Sequence, residues 1–465
     1  MDDKEDHISK LPDIMLGRIL SFLTVKEAVR TSVLSTRWIN IWKLITNIHL
    51  DDRWINSNVV SDKEHFANIV NKVIGLNESA TIENFSLLIS SDKKYEAHQI
   101  NKWIAGVSRK NIQKLHIKYS AKEVFPSFFP FFSFNSLEHM VLHMNCSLKV
   151  PSTAYFSNLQ SLKLCGVVFL GEFSTRTTEV FFSFPVLKVI EADYCEWFQN
   201  LYIYAPQLES ISFMNSVRVT HRATIKIFSI GIKMFYFYGD LLNHNVIIED
   251  PSSIWNCSAQ IFLDSDYPMF RMQELSCKAC MFLKQFHEAQ DLNLGIGTIK
   301  VLSYTIDFFT DIMPDFDTLD RLRLEKCTIE MLLKFLQKAI FLETLVLHSV
   351  EPFDEGVLYS PTLFPPNLQY SLKVVLLSEF KGDEHEISLA KFILDNAERL
   401  EKMIISTYWM WDSNSKLEEI REQVLAYPKR SSIAEVDFII NVRDNINLET
   451  SVYGNNILKK EFGLI

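Results

Sequence analysis

Residues 137–164 read LEHMVLHMNCSLKVPSTAYFSNLQSLKL, and one six-residue pattern both opens and closes this stretch. In LEHMVL (137–142) and LQSLKL (159–164), an apolar residue is followed by two variable residues and then by alternating apolar residues. Alternation with a period of two predicts a short β-strand with its apolar side chains on one face. Those side chains need another copy of the pattern on each side to cover them, so the stretch predicts a stack of strands.

The same hexad returns along most of the chain. An ordinary α/β domain with several buried strands is one interpretation, but recurrence at roughly 26 residues favours a solenoid of leucine-rich repeats, whose periods lie in this range. Copies between residues 225 and 300 lack the usual leucines, which leaves the repeat count and register there open. We expect an α/β fold with a parallel sheet built by an irregular leucine-rich-repeat solenoid. The other copies are IENFSL (82–87), IQKLHI (112–117), LKVIEA (187–192), LESISF (208–213), IKMFYF (232–237), AQIFLD (259–264), AQDLNL (289–294), LDRLRL (319–324), LETLVL (342–347), LKVVLL (372–377) and LEKMII (400–405).

Composition excludes several classes of protein. The 465 residues are 48% hydrophobic and 22% charged, with a net charge of −10, which argues against a general affinity for nucleic acid. No apolar run reaches the roughly 18 residues of a membrane helix, and VFPSFFPFFSF (124–134) is short and interrupted by prolines, as in a buried loop or an interface patch. Seven cysteines and no signal peptide indicate buried thiols in a reducing compartment, the nucleus or the cytoplasm.

Motifs for catalysis or metal binding are weak. Cys277 and Cys280 form a single CxxC, which without a second pair more often represents two ordinary thiols than a zinc site. His139 and His143 are four residues apart on a predicted strand, which favours solvated surface histidines. Asp264 and Asp266 precede a Tyr-Pro turn and are interpreted as turn residues. No nucleophile elbow, P-loop or HExxH is present, so we expect no catalytic residue, metal or cofactor.

The N-terminal stretch DHISKLPDIMLGRILSFLTVKEAVRTSVLSTRWINIWK (6–43) is too short to bury a core of its own. Pro12 suits the first position of a helix, where its missing N–H has no consequence. An apolar stripe at helical spacing follows, formed by Leu16, Ile19, Leu20 and Leu23.

Two further helices are predicted in the same stretch. Thr24 and Glu27 form a capping box that opens the second helix. Ser35 can cap a third helix, which places Trp38, Ile41 and Trp42 on one face. Periodicity alone favours a helical cap on a larger domain, although three short helices with apolar stripes would also suit a docking module. The strings LPD, ILSFL and TSVLSTRWINIW follow one another in this order.

These residues closely resemble an F-box, the segment by which substrate receptors attach to the Skp-type adaptor of cullin-RING ubiquitin ligases. The resemblance implies that a set of residues forms or supports the adaptor-binding surface, without showing which of them face the partner. They are Leu11, Pro12, Ile14, Leu16, Ile19, Leu20, Val29, Val33, Leu34, Ser35 and Trp38.

The resemblance extends to plant F-box/leucine-rich-repeat proteins. Residues 98–117, with Trp103 on a helix before the strand, resemble their first full repeat. Residues 365–405 resemble the FBD domain that closes such chains, with a strand, a turn at Gly382, a helix from about Glu386 to Leu400 and a strand. Residues 417–439 fit its final helix and strand. The expected domains are an F-box (6–45), the repeat solenoid (80–350) and an FBD-like domain (360–440).

The resemblance implies a non-catalytic substrate receptor of an Skp–cullin–F-box ubiquitin ligase. Its partners would be the Skp-type adaptor, through it a cullin, and an unknown target protein, with no nucleic acid and no membrane. An F-box scaffold outside degradation and a small-molecule co-receptor are the alternatives. Target contact is expected from side chains between the inward leucines, with Lys114, His116, Lys163, Arg321, Arg323, Glu325 and His348 as candidates.

Overall fold

The computed structural model describes residues 7–8, 10–54, 61–90, 95–119, 125–127, 134–171, 179–216, 223–242, 244–263, 267–306, 309–408 and 414–441. The chain divides into two compact units, residues 1–318 and residues 319–465. Asp264, Asp266, most of the 124–134 patch and the last twenty or so residues lie outside the described ranges. No helix in these ranges is long and apolar enough to cross a membrane.

The first unit is built around a parallel sheet. Its strands are β1 (Asn47–Asp51), β2 (Thr81–Ile89), β3 (Asn111–Tyr119), β4 (Phe125–Ser127), β5 (His139–Val150), β7 (Ser161–Gly171), β9 (Val189–Asp193), β10 (Glu196–Trp197), β12 (Ser210–Ser216), β14 (Met234–Gly239), β16 (Asn256–Ile261) and β17 (Asp291–Leu294). They pair in the order β1, β2, β3, β5, β7, β9, β12, β14, β16 and β17, and the short β4 pairs with β5.

The hexads predicted in this unit fall on these strands, one strand per copy. Leu137, Met140 and Leu142 of LEHMVL are all buried, because the neighbouring strands cover the apolar positions of each copy. The prediction was wrong in register for AQIFLD (259–264). Pairing with β14 instead aligns IWNCSA (254–259), whose small Cys257 and Ala259 take the place of leucines.

One repeat was missed by the sequence reasoning. ITNIHL (45–50) has the same pattern, and Ile45, Ile48 and Leu50 are all buried. It forms β1, which pairs with β2 in the register of the other copies. The sheet therefore begins immediately after the F-box-like segment, well before the predicted start at residue 80.

A second parallel sheet takes the place of returning helices in the middle of this unit. It consists of β15 (His244–Ile248), β13 (Ala223–Phe228), β11 (Asn200–Tyr204), β8 (Glu179–Ser183) and β6 (Thr153–Tyr155), paired in that order. Phe182 of β8 packs edge-on against Phe169 of β7, with ring centroids 6.5 Å apart. Aromatic and β-branched residues at alternating positions favour strands in these return segments.

Helices cover the remaining repeats of the first unit. Trp103 lies on α4, as predicted, and is buried with its indole N–H donating to Asn71 Oδ1 over 3.0 Å. The described helices are α1 (Asp13–Leu20), α2 (Val25–Arg30), α3 (Ser61–Leu76), α4 (Ala97–Ser108), α5 (Met269–Lys284), α6 (Ile296–Ser303) and α7 (Phe309–Ile312).

The second unit alternates strands and helices around another parallel sheet. Its strands pair in the order β18 (Arg321–Cys327), β19 (Thr344–Val350), β20 (Val374–Leu377), β21 (Lys402–Tyr408) and β22 (Glu435–Asn441). Its helices are α8 (Ile329–Lys338), α9 (Asn367–Tyr370), α10 (Glu384–Asn396) and α11 (Asn414–Leu425). The predicted final helix and strand correspond to α11 and β22.

The FBD-like segment has the predicted strand, turn, helix and strand. Gly382 has a φ of +75°, which favours glycine at this turn. The helix that follows was expected from about Glu386 to Leu400, but it begins at Glu384 and ends at Asn396. The boundaries differ because Asp383 and Glu386 form a capping box at the start and Ala397 leaves the helical conformation.

Candidate functional site

The N-terminal helices are held together by a close approach at Gly17. A Cβ atom at this position would lie 2.6 Å from Leu44 Cβ and 3.1 Å from the Leu44 carbonyl oxygen. Ser21 then joins α1 to the start of the repeats, because its Oγ donates to the Gly17 carbonyl and accepts from the Thr46 backbone N–H at 2.8 Å. The segment is thus anchored on the repeat sheet, which supplies the core that it lacks.

The capping of these helices differs in part from the prediction. Thr24 and Glu27 do form the capping box of α2, and these hydrogen bonds hold the pKa of Glu27 below its usual value. Pro12 instead precedes the first helical residue, since α1 begins at Asp13. The predicted third helix is a pair of short 3-10 turns, Thr36–Ile39 and Ile41–Leu44, and the Ser35 side chain does not cap it.

Arg37 ties these turns to the start of α1. Its guanidinium donates to Asp13 Oδ1 at 2.7 and 2.9 Å and also to the carbonyl of Leu11. This network holds the turn Thr36–Ile39 against the start of α1.

The predicted adaptor-binding residues divide between the inside and the outside of this segment. Leu16 and Leu20 are buried and support α1 from within, while Leu11 and Trp38 are half-buried. The remaining members are exposed: Pro12, Ile14, Ile19, Val29, Val33, Leu34 and Ser35.

The segment exposes more large apolar side chains than the predicted set contains. Phe22 and Val33 are each 88% exposed and Ile14 is 76% exposed. Met15 and Ile39 are exposed too, and these two and Phe22 were missed. Contiguous exposed apolar area of this kind is uncommon on the surface of a monomeric protein. We call Ile14, Met15, Ile19, Phe22, Val33 and Leu34 the N-terminal apolar surface.

The open face of the first unit's sheet carries three of the predicted target-binding residues. Lys114 and His116 lie on β3 and alternate with the buried Leu115 and Ile117, as expected. Lys163 on β7 lies on the same face, but its ammonium forms an ion pair of 2.7 Å with Glu191 of β9. Its charge is therefore balanced within the sheet.

Three further residues of this face were not among the predicted set. His49, Lys118 and His143 are all exposed on β1, β3 and β5. Burial lowers the pKa of His116, and the neighbouring His49, Lys118 and His143 lower it further. The pKa of His143 is also lowered, by burial and by Lys118, against an opposing effect of Asp193. The alternation that predicted Lys114 and His116 would also have found Lys118, because β3 extends to Tyr119.

The other four predicted target-binding residues lie on the sheet of the second unit. Arg321 and Arg323 are half-buried on β18, and Glu325 of the same strand is exposed. His348 on β19 has its Nδ1 3.2 Å from Ser378 Oγ. These four share the face opposite the buried Leu322, Leu324, Leu345 and Leu347.

Cysteines and carboxylates give little sign of metal chemistry. Cys277 is exposed and Cys280 buried on α5, and among the described residues no third ligand approaches them within metal-binding distance. Asp383, His385 and Glu386 do come close to one another. One Glu386 oxygen, however, accepts the backbone N–H groups of residues 381–383 at 2.8–3.3 Å, so this grouping is explained by helix capping.

An open cavity of about 650 Å³ lies against the second sheet. Phe181 and Tyr202, which are neighbours in register on β8 and β11, stack on its wall with ring centroids 4.7 Å apart, and Tyr155 and Tyr204 are exposed beside them. The lining is mostly aromatic and carries no charged side chain, so it offers no ion-pair partner for an anionic ligand.

Two family models match the chain. The F-box domain model matches residues 8–49, which contain the N-terminal apolar surface, and the FBD model matches residues 361–405. The first match ends inside β1, and the second ends inside β21.

Curated relatives match over nearly the whole length. An F-box/FBD/LRR-repeat protein of Arabidopsis thaliana is 28% identical over 451 residues, which cover 93% of this chain and 94% of the relative. F-box/LRR-repeat protein 13 of the same plant is 26% identical, with 93% and 96% covered. Another F-box/FBD/LRR-repeat protein of Arabidopsis thaliana is 26% identical, with 93% and 95% covered. The resemblance inferred from the residues is therefore confirmed: the chain carries an F-box and an FBD segment and is similar throughout to plant F-box/FBD/LRR-repeat proteins.

Proposed function

We propose that this protein is a substrate-recognition subunit of an Skp–cullin–F-box ubiquitin ligase. The F-box would dock on the Skp-type adaptor, and the repeat strands would hold a target protein for ubiquitylation by other subunits. The observation that carries the proposal is the N-terminal apolar surface, which lies within the residues matched by the F-box model.

The physical argument for docking rests on burial. Burial of exposed apolar side chains on association is favourable by about 25 cal/mol for each Å² of apolar surface removed from water. Ile14, Phe22 and Val33 are held outward because Leu16, Leu20 and Ala28 already fill the interior of the segment. A partner that covers the outward residues would gain this free energy without refolding the helices.

The repeat sheets support the target-binding part of the proposal. Each strand turns its apolar hexad positions inward and presents the alternate positions on an open face. A face assembled from many strands gives a broad surface for protein contact. No group in this role needs to perform chemistry, because holding a target near a reactive partner raises its effective concentration.

Co-purification with a plant Skp-type adaptor tests the docking step. We expect the full chain to bind and the V33S/L34S variant to lose binding, since both side chains are exposed and their loss leaves the core intact. The matched control is I230S/F270S, which removes two apolar side chains that are 73% and 67% exposed elsewhere. Equal binding by both variants, or none by the intact chain, would contradict the proposal.

Recruitment of the cullin separates the ligase from a scaffold. When the adaptor and a cullin are added together, a ligase subunit is expected to enter one complex with both. A complex with the adaptor that excludes the cullin would instead support a role outside degradation.

A further inference from the structure

A concentration of positive and titratable groups occupies part of the open face of the first unit. In register along β3 and β5, Lys114 stands beside His139 and Lys118 beside His143. His116 lies between the two lysines on β3, and His49 lies on β1 in the same row, with Ser86 of β2 between them. We call Lys114, Lys118, His49, His116, His139 and His143 the cationic face.

Among the described residues, no carboxylate lies within ion-pairing distance of the two lysines of the cationic face, Lys114 and Lys118. Asp193 of β9 does act on His143, where it opposes the lowering of the pKa. Asp51, at the end of β1, is buried and bonded to Arg53 with oxygen–nitrogen distances of 2.6–3.0 Å. The first acidic side chains on the other edge are Glu191 and Asp193 on β9, and Glu191 is paired with Lys163.

We propose that the cationic face binds an acidic segment of the target protein, a proposal that rests on the function proposed above. The chain as a whole carries a net charge of −10, so this face is a positive region on a protein that is acidic overall, and it can attract anions. Carboxylates of an extended peptide would form ion pairs with the lysines and accept hydrogen bonds from the N–H groups of the histidines.

The size and chemistry of the face fit a short peptide better than a nucleic acid. Neighbouring strands lie about 4.8 Å apart, so β1, β2, β3 and β5 together span about 14 Å. The other side chains in these rows are Asn47, Asp51, Asn84, Ser86, Leu88 and Val141, so the rows offer no Phe, Tyr or Trp ring for a base to stack on.

The histidines make this binding dependent on pH. A bound carboxylate favours the protonated imidazole, so binding takes up protons at His116 and His143, whose pKa values are low in the free protein. The titratable and charged groups facing them are His49 and Asp51 of β1, Lys114 and Lys118 of β3, His139 of β5, Lys163 and Cys165 of β7, and Glu191 and Asp193 of β9. Affinity for an acidic segment should therefore rise as the pH falls through the pKa values of the complex.

The test uses the full chain and a fluorescein-labelled decapeptide of alternating glutamate and serine, followed by fluorescence anisotropy at low salt. We expect the affinity to rise as the pH is lowered from about 7.5 to about 6. Each proton taken up on binding can raise the affinity by up to about tenfold per pH unit. The K114Q/K118Q variant should bind about fivefold more weakly or worse, since two ion pairs are lost. The H116Q/H143Q variant should bind with a reduced dependence on pH.

Controls separate this proposal from others. K284Q/K300Q removes two positive charges from α5 and α6, and it should bind like the parent protein. Equal affinities of the K114Q/K118Q and K284Q/K300Q variants would overturn the proposal, as would equally tight binding of the glutamine version of the peptide. Equally tight binding of oligothymidylate would contradict a preference for an acidic protein segment, because it would show that the cationic face binds polyanions in general.

The same preparations are tested for Skp-type adaptor binding. The K114Q/K118Q variant should retain the adaptor, and V33S/L34S should retain the peptide. Loss of one interaction alone therefore tells whether the docking proposal or the acidic-segment proposal has failed.

Discussion

Lys118 and His143 are paired in register across β3 and β5, and the lysine lowers the pKa of the histidine from the neighbouring strand. Burial is the larger cause of that lowering, and the same lysine also acts on His116 two residues away on its own strand. Burial and this single ammonium thus act in the same direction, and both lower the pKa values of two imidazoles of the cationic face.

Replacement of Lys118 by glutamine should raise the pKa values of both His116 and His143. The physical reason is the loss of a positive charge that disfavours the imidazolium form. NMR titration of the histidine Cε1 protons measures the change directly. Lys163→Gln provides the comparison, because its charge is already balanced by Glu191. Unchanged titration of His143 in the Lys118 variant would show that burial alone sets its pKa.

Acidification should destabilise the first unit through these histidines. Their pKa values in the fold lie below the unfolded value of about 6.5, so the unfolded chain binds protons first as the pH falls. The neutral imidazoles therefore contribute their full free energy of stabilisation above about pH 6.5, and this contribution is lost as the pH falls below that value. Urea unfolding at about pH 7.5 and pH 5.5 should show a smaller loss in H116Q/H143Q than in the parent protein, and an equal loss would contradict the assignment.

Gly17→Ala should destabilise the N-terminal segment by about 1–3 kcal/mol, as overpacking does in a tight interior. The added Cβ would lie 2.6 Å from Leu44 Cβ, so α1 or the facing turn must move. Gly75→Ala is the matched control, because nothing lies within 4 Å of its added Cβ near the end of α3. That variant should be neutral or stabilised by up to about 1 kcal/mol. Chemical denaturation of both variants checks the difference, and equal destabilisation would show that α1 has room to shift.

Glu386→Ala should destabilise the second unit by about 1–3 kcal/mol, because backbone N–H groups of residues 381–383 lose their acceptor. Glu384→Ala, two residues earlier on the exposed side of α10, should have little effect. Unfolding followed by circular dichroism compares the two variants. Equal stability of both would mean that water replaces the carboxylate at the turn.

Alkylation should modify Cys277 before the other thiols, because it is exposed on α5 while most of the rest are buried. Burial raises the pKa of Cys146 and Cys327 to about 12, so their thiolates are scarce at pH 8. Mass spectrometry after brief iodoacetamide treatment should find one dominant modified site, which Cys277→Ser removes. Denaturant should then expose all seven thiols. Rapid modification of Cys146 or Cys327 in the folded protein would contradict their burial.

Local patterns allowed most of the strands to be predicted. Each hexad contains its own period of two and its own apolar anchor, so LEHMVL and LDRLRL identify strands without reference to the rest of the fold. The pattern failed where residue size departed from leucine. At IWNCSA (254–259), small Cys257 and Ala259 fill the inward positions, and the neighbouring AQIFLD matched the pattern by chance.

The sequence named candidate residues in the N-terminal segment but did not predict which of them would be exposed. The F-box resemblance included Ile14 and Val33, which are exposed. Helical spacing placed Leu16, Ile19 and Leu20 on one stripe, whereas Ile19 is exposed and the other two are buried. Phe22 follows α1, where a helical period no longer applies, so its exposure depends on the turn that the chain makes at Ser21.

By itself, the sequence determined the strand hexads, the α2 capping box, the Gly382 turn and the resemblance to an F-box and an FBD segment, because each depends on residues close together in the chain. Only the tertiary structure decided that β1 extends the repeat sheet, that strands replace helices between β5 and β16, and that Lys118 meets His143. These features depend on which strands become neighbours. Strands that lie about 25 residues apart in the chain pair only when all the inward side chains of the sheet pack together, so no local pattern predicts the pairing.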